Sequence, residues 1–383
     1  MTNVLVINAG SSSIKFVMFA ADMTRLLEGS ATEIGGNSVL DVGQSTTRAD
    51  FPDHAAALAA CLKSIEEHGY PIKELGAAAH RVVHGGSRLI APCLLTADVI
   101  AEIEACCALA PLHNPHNLAA IRALAEISPS LPQFASFDTA FHATNPEVAL
   151  RYAIPETAAK MGIRRYGFHG ISFEGLVGQL REVCGGELPS RLLALHLGNG
   201  ASLCAVCDGR SVATTMGYSP LEGLTMGTRS GSIDGNAVLR LAKEYGIEGA
   251  SRILNRESGL KALGGTSDMR ALRESRTSEA EFAVAHFCYW AIRNAGSMIA
   301  AMGGLDAVAI TGGIGENDTG VRTTILNGLA WTGLRFDGAA NAEHATNLHA
   351  VDSPVQVFVI GADEERTIAK HALANLSAQA TTS

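Results

Sequence analysis

A strand–turn–strand unit occurs twice in this chain, and that repeat constrains the fold more than any other feature. The first copy is "VLVINAGSSSIKFVMF", residues 4–19, and the second begins at Arg191 as "RLLALHLGNGASLCAVCDGRSVATT". Each sets apolar, β-rich runs on both sides of a turn made of Gly, Asn or Ser. The first copy continues through "MTRLLEGSATEI". The second closes a further hairpin at Asp208-Gly209, the dipeptide a type I′ turn prefers. Each copy therefore reads as a three-stranded meander followed by alternating helices and strands. A repeat of this size within 383 residues predicts two domains of one fold, not a solenoid.

The remaining elements follow from periodicity. Ala57, Leu58, Cys61, Leu62 and Ile65 fall at helical spacing and predict a helix from Asp53 to His68. "LGAAAHRVVHGG" reads as a buried strand ending in glycines, and Thr96 to Ala110 as a helix. Asn114-Pro115 predicts a helix start, with an amide cap and Pro in the first turn, leading into Leu118 to Ile127. "FASFDTAFH" is a strand ending in polar residues. Leu305 to Thr311 is a strand entering "GGIGEN", Val355 to Ile360 is the last strand, and Asp363 to Leu376 is a terminal helix.

Composition excludes several function classes. A net charge of −9 opposes a nucleic-acid surface, which needs a basic stripe, but leaves small phosphates open. No apolar run reaches the roughly 18–20 residues of a membrane span. Phe282 to Met302 comes nearest, but it contains His286, Arg293 and Asn294 and reads as a buried helix. Met1 to Gly10 is too short and lacks the charged start of a secretory signal, so a cytoplasmic protein is expected. Among eight cysteines only Cys204 and Cys207 have a C-x-x-C spacing. They lie in a strand-like stretch, where residues three apart face opposite ways, so core thiols are expected there.

The turns pose a chemical question. "NAGSSSIK" assembles backbone N–H groups, three hydroxyls and an ammonium, a set suited to phosphate oxygens. A polar surface turn would explain it alone, but "HLGNGAS" repeats the arrangement in the second meander. No Walker-type G-x-x-x-x-G-K-[ST] is present, and "GGIGEN" lacks the third glycine of a dinucleotide fingerprint. Seven of thirteen histidines fall in short motifs: His80, His84, His113, His116, His142, His169 and His196. None has a metal-binding spacing such as H-E-x-x-H. Arg81 and Arg229 sit among glycines and apolar residues, where a guanidinium needs an anionic partner. That partner is either a ligand or, for Arg81, Asp138.

Together "VLVINAGSSSIKF", "HRVVHGG", "APLHNPHN", "FDTAFH", "RRYGFHG", "HLGNGAS", "MGYSPLEGLTMGTRSGSID" and "TGGIGEN" resemble the acetate kinase family, in order from about residue 3 to residue 370. The resemblance implies an α/β fold of the acetate and sugar kinase, Hsp70 and actin superfamily. Two ribonuclease-H-like domains, each a mixed β-sheet flanked by helices, would enclose an ATP cleft. The expected boundaries are 1–145, completed by a terminal helix 366–383, and 146–365, which carries most of the nucleotide site. The implied reaction is reversible phosphoryl transfer between ATP and acetate, giving ADP and acetyl phosphate, with Mg²⁺. A carboxylate is already a nucleophile at neutral pH, so such a site needs positive charge more than a base.

By motif position, the resemblance implies that Arg81 and Arg229 hold the carboxylate and the transferred phosphoryl. His169 would donate to that phosphoryl, with His113 nearby, and Asp138 would orient Arg81 or the hydrated metal. Asn8 and Glu364 match the magnesium positions. Ser11, Ser13 and Lys15 match the first phosphate loop, and His196 to Ser202, with Gly198, Asn199 and Gly200, the second. Asp268, Met269 and Arg270, with Gly313, Ile314, Gly315, Glu316 and Asn317, match the adenosine side. Val83, Leu112, Phe168 and Pro220 match the walls around the acetate methyl. Val83 follows Arg81 by two residues, so on one strand the two would share a face.

The sequence departs from the family pattern at "SVATTMG" and at "GADEER", where Asp363 adds a carboxylate beside Glu364. Two other functions remain open at this point: a propionate or other short-chain acyl kinase, and a non-catalytic nucleotide switch like the actin relatives. The expected partners are acetate and ATP, with no nucleic acid and no membrane, and the family is typically homodimeric.

Overall fold

The computed structural model describes residues 3–382. Met1 and Thr2, from the amino-terminal stretch read above, and Ser383, at the end of the expected terminal helix, lie outside the described residues. The chain forms two compact units. One runs to Phe141 and resumes at Asp363; the other is His142–Ala362.

In the first unit the meander forms as expected: β1 (Asn3–Ala9), β2 (Ser13–Phe19) and β3 (Arg25–Thr32) pair antiparallel in sequence. Two further strands, β4 (Val39–Val42) and β5 (Ser45–Arg48), extend it at the β3 edge. Periodicity does not announce β5, which is exposed along its whole length and carries no apolar face. On the other side β6 (Leu75–Val82) pairs parallel to β1, and β8 (Gln133–Phe137) parallel to β6. A short β7 (Cys93–Leu94) closes that edge, giving the order β5-β4-β3-β2-β1-β6-β8-β7. The helix His54–Glu67 packs on the meander, burying the five residues predicted from spacing, and Asp53 caps it through Ala56 N. The terminal helix Glu364–Thr382 lies against β1, β6 and β8.

The second unit repeats the plan. β9 (Arg191–Leu197), β10 (Ala201–Cys207) and β11 (Arg210–Thr214) are antiparallel, and β12 (Ala307–Thr311) and β13 (Gln356–Val359) add in parallel. The order β11-β10-β9-β12-β13 matches β3-β2-β1-β6-β8 strand for strand. Asp208 and Gly209 have φ of 49° and 80°, as a type I′ turn requires. The helix Ser278–Met302 packs on this sheet along a buried face that includes Phe287, Ala291 and Met298. Cys204 is buried beside Ser211, and burial pushes its thiol up to about 12, so it stays protonated. No described helix is long and apolar enough to cross a membrane.

Asn114 corrects one expectation. The helix Asn114–Ile127 does begin there with Pro in its first turn, but Asn114 is not its cap. Its buried amide instead donates to the His84 carbonyl at 3.0 Å and accepts from the His84 N–H at 3.1 Å. Satisfying a buried loop takes precedence over the exposed cap role.

Candidate active site

In the first unit, the β1–β2 turn and the end of β6 carry the expected residues. Asn8 faces Lys15 across the hairpin, and the Gly10 N–H closes the turn on the Ser13 carbonyl at 2.8 Å. Ser11 and Lys15 are exposed, and Ser13 is half-buried. The Gly10 carbonyl sits 2.6 Å from His54 Nε2. Asn117 donates to the Ala9 carbonyl at 2.7 Å and accepts from the Val83 N–H at 3.1 Å, joining this turn to the end of β6. Neither His54 nor Asn117 was anticipated from the sequence.

Arg81 forms the centre of this half. Its Nε and Nη2 donate to the two Asp138 oxygens at 3.0 and 2.6 Å, and Nη1 to Asn8 Oδ1 at 3.4 Å. Glu364 Oε2 lies 3.8 Å from Arg81 Nε. Burial opposes the guanidinium charge, but Asp138 and then Glu364 outweigh it and hold Arg81 above its ordinary value. Asp138 is 2% exposed and the Arg81 side chain 23%, so this is a bidentate pair whose carboxylate is buried and whose guanidinium reaches the surface. Burial first, and then the nearby Asp138 and Glu365 against the opposing pull of Arg81, push the Glu364 carboxyl up to about 7. The structure thus brings Asn8, Arg81, Asp138 and Glu364 together.

The apolar positions are placed differently. β6 ends at Val82, so strand alternation does not extend to Val83; the valine is nonetheless buried, with its N–H held by Asn117. Leu112 is 37% exposed, and His113 is half-buried at the start of the helix Asn114–Ile127. In the second unit Phe168 is buried, its carbonyl receiving His142 Nε2 at 2.9 Å.

The second glycine turn gathers the other candidates. His169, at φ 58°, stacks on His196 with centroids 4.2 Å apart. His169 Nδ1 lies 2.9 Å from Ser202 Oγ, and His196 Nδ1 lies 2.8 Å from Ser172 Oγ. A Cβ on Gly200 would come within 3.0 Å of His169 Nε2 and 3.5 Å of Arg229 Nη2. The first of these is tighter than ordinary packing, so a side chain at Gly200 would press on the His169 imidazole, whereas the second is ordinary contact. Arg229 Nη1 donates to the Pro220 carbonyl at 2.7 Å. Ser202 is thus corrected: it is buried on β10 and supports His169, and does not belong to the exposed turn.

Beside this turn lies a cavity of about 770 Å³, lined by Gly198, Asn199, Asp268, Met269, Arg270, Gly313, Ile314 and Asn317. Ser267, Arg273, Glu274, Asp318 and Thr319 complete it. That volume suits a ligand of nucleoside size. Gly315 and Glu316 do not line it. Gly315 is packed on Ile310 and Leu197, and Glu316 Oε1 accepts the N–H groups of Gly312 and Ala362 at 2.8 and 2.9 Å. Glu316 holds the loops that frame the cavity.

Residues 3–370 match the model of the acetokinase family. The chain belongs to the acetokinase family. The acetate kinase of Stutzerimonas stutzeri is 44% identical over 98% of this chain and 99% of its own. That of Methylocella silvestris is 42% identical over 98% of each. Among solved structures, a propionate kinase from Francisella tularensis superposes with a TM-score of 0.93 at 35% identity, covering 97% of this chain and 99% of that one. The acetate kinase of Porphyromonas gingivalis gives 0.91 at 33% identity, covering 98% and 100%. Membership in the acetokinase family brings the actin-like ATPase fold, in keeping with the duplicated strand order.

The residues that sequence reading missed are supports, His54, Asn117 and Ser172, and it placed Ser202 in the phosphate turn instead of behind His169. One signal was available for Ser202. It stands directly opposite His196 in the β9–β10 register, next to the imidazole on which His169 stacks.

Proposed function

We propose that this protein is an acetate kinase, transferring a phosphoryl group reversibly between ATP and acetate. The observation that carries the reading is the state of Asp138. A sugar or alcohol acceptor needs a base to take its hydroxyl proton. Asp138 has both oxygens engaged by Arg81 at 3.0 and 2.6 Å and is poorly placed to act as one. An acceptor that is already a carboxylate needs no base, only cations to orient it and to neutralise the phosphoryl in flight.

Arg81, oriented by Asp138, would hold the acetate carboxylate beside Val83. His169 and Arg229 would donate to the transferred phosphoryl, with His113 nearby. Ser11, Ser13, Lys15 and the Gly198–Gly200 turn would hold phosphate oxygens. The cavity beside Gly313 would take the adenosine. For Mg²⁺, the oxygen donors of Asn8 and Glu364 suit a hard cation that keeps water and phosphate ligands. Burial first, and then the neighbouring carboxylates, raise Glu364, and a dication beside it would favour its charged form. When bound, the ion would neutralise phosphate charge. We further place the protein in the cytoplasm as a homodimer, with two domains divided a few residues from the expected 145/146 and 365/366 boundaries.

The Francisella propionate kinase, at 35% identity, supports a second reading as a propionate kinase. Hydroxylamine trapping of the acyl phosphate formed from acetate, propionate or butyrate, with ATP and Mg²⁺, tests both. The expected order is acetate above propionate above butyrate. No hydroxamate from any acid would refute the kinase reading, and a preference for propionate would select the second.

A further inference from the structure

The segment from Thr215 to Gly223 has no regular secondary structure, yet it is fastened at both ends. The Gly217 carbonyl accepts from the N–H groups of Tyr166 and Gly167 at 3.0 and 3.3 Å, on the stretch that leads into His169. The Tyr218 N–H donates to the Tyr152 hydroxyl oxygen at 3.0 Å, and that hydroxyl donates to Glu222 Oε2 at 2.6 Å. Arg165 donates to the other oxygen, Oε1, at 2.9 Å, and its guanidinium stands 5.2 Å over the Tyr152 ring. A Cβ on Gly217 would overlap both the Glu222 carboxylate and the Tyr152 hydroxyl. Between the fastened ends lies Pro220, whose carbonyl receives Arg229 Nη1 at 2.7 Å.

One carboxylate therefore ties down a loop that touches both candidate phosphoryl donors. Resting on the kinase reading, we propose that Glu222, Tyr152 and Arg165 are positioning residues, a clamp that sets Arg229 through the Pro220 carbonyl and His169 through the Tyr166–Gly167 backbone. None of the three has a role in the reading above. Each acts through a hydrogen bond to the loop or to another member, so the set works as a unit. Burial, and then the Glu222 bond, hold the Tyr152 phenol up at about 12, so its donor proton persists at any working pH. The clamp acts on how the transferring group is gripped, not on how the nucleotide is bound.

The test uses Glu222→Gln, Tyr152→Phe and the double variant, with initial rates and hydrogen exchange on the same preparations. The kcat for acyl phosphate formation should fall about tenfold or more in Glu222→Gln and severalfold in Tyr152→Phe, as expected for small displacements of transferring groups. The KM for ATP should stay within about twofold, because uniform nucleotide binding is untouched. The double variant should be no slower than Glu222→Gln, since members of a unit are not additive. Exchange at the amides of Tyr166, Gly167 and Tyr218 should rise in both single variants. Wild-type kcat in either folded variant, or unchanged exchange at those amides, overturns the clamp, and so does loss of fold in both. If Glu222→Gln alone unfolds, Tyr152→Phe decides. A wild type inactive on every acid refutes the kinase reading instead, and the exchange result still decides the clamp.

Discussion

Nδ1 of His169 lies 2.9 Å from Oγ of Ser202, a serine with no exposed surface on the strand beside the glycine turn. With Ser202 donating, the imidazole carries its proton on Nε2, the nitrogen nearest Gly200. The histidine's ring is thus held at Nδ1 by a buried serine on the neighbouring strand.

Ser202→Ala should accordingly lower kcat by about tenfold to a hundredfold, as misplacement of a positioned donor does. The KM for ATP should change little. Steady-state kinetics with both substrates varied checks this. A folded Ser202→Ala protein with wild-type kcat would show that the imidazole does not depend on the serine.

Arg81→Ala should remove both activity and stability. Asp138 would be left 2% exposed with no cation on either oxygen. Stranding a buried charge in this way costs about 3–5 kcal/mol. Arg81→Lys should recover part of the stability but little of the activity, because an ammonium cannot grip a carboxylate through two parallel N–H groups. Urea midpoints for the two variants give the comparison. Equal midpoints for wild type and Arg81→Ala would contradict the assigned pair.

Val83→Ala should raise the ratio of propionate to acetate kcat/KM by about tenfold, the scale on which an apolar pocket distinguishes one methylene. Most of the change should appear as a lower KM for propionate. A folded variant with an unaltered ratio would make Val83 a packing residue and remove it from the methyl wall.

Stability should fall in mild acid through His80 and His84. Both are buried, and burial holds each imidazole down at about 4; His80 Nε2 also lies 2.7 Å from Gln133 Oε1. Unfolded histidine titrates near 6.5. Between those values the unfolded chain binds more protons, so stability is full above pH 6.5 and declines as pH falls towards 4. Each site contributes up to about 3 kcal/mol to that decline. Urea midpoints measured from pH 7.5 to 4.5 should drop, and His80→Gln should flatten the slope. A slope identical in His80→Gln would clear His80 of any part in it.

Much of the fold was legible because its signals are local. The five apolar positions of the helix His54–Glu67, the Asp208-Gly209 turn and the two glycine turns are all written within a dozen residues of themselves. The repeat of meanders announced two domains of one fold, and the resemblance of the motifs to the acetate kinase family supplied the architecture. The edge strand β5 was not legible, because an exposed strand has no pattern to show.

The chain by itself also determined which residue types its motifs present, since Arg81, His169 and Arg229 stand in short, ordered stretches. Only the tertiary structure decided what each one touches. Arg81 finds Asp138 across 57 residues, Tyr152 finds Glu222 across 70, and His169 finds Ser202 across 33. Asn114 leaves its expected cap for His84, and Glu316 turns from the cavity to the loops around it. Local propensity can set a turn or a helix end, because neighbouring residues suffice to satisfy the backbone there. A buried polar side chain must be satisfied by whatever the packed sheet brings alongside it, and no short window of sequence contains that partner.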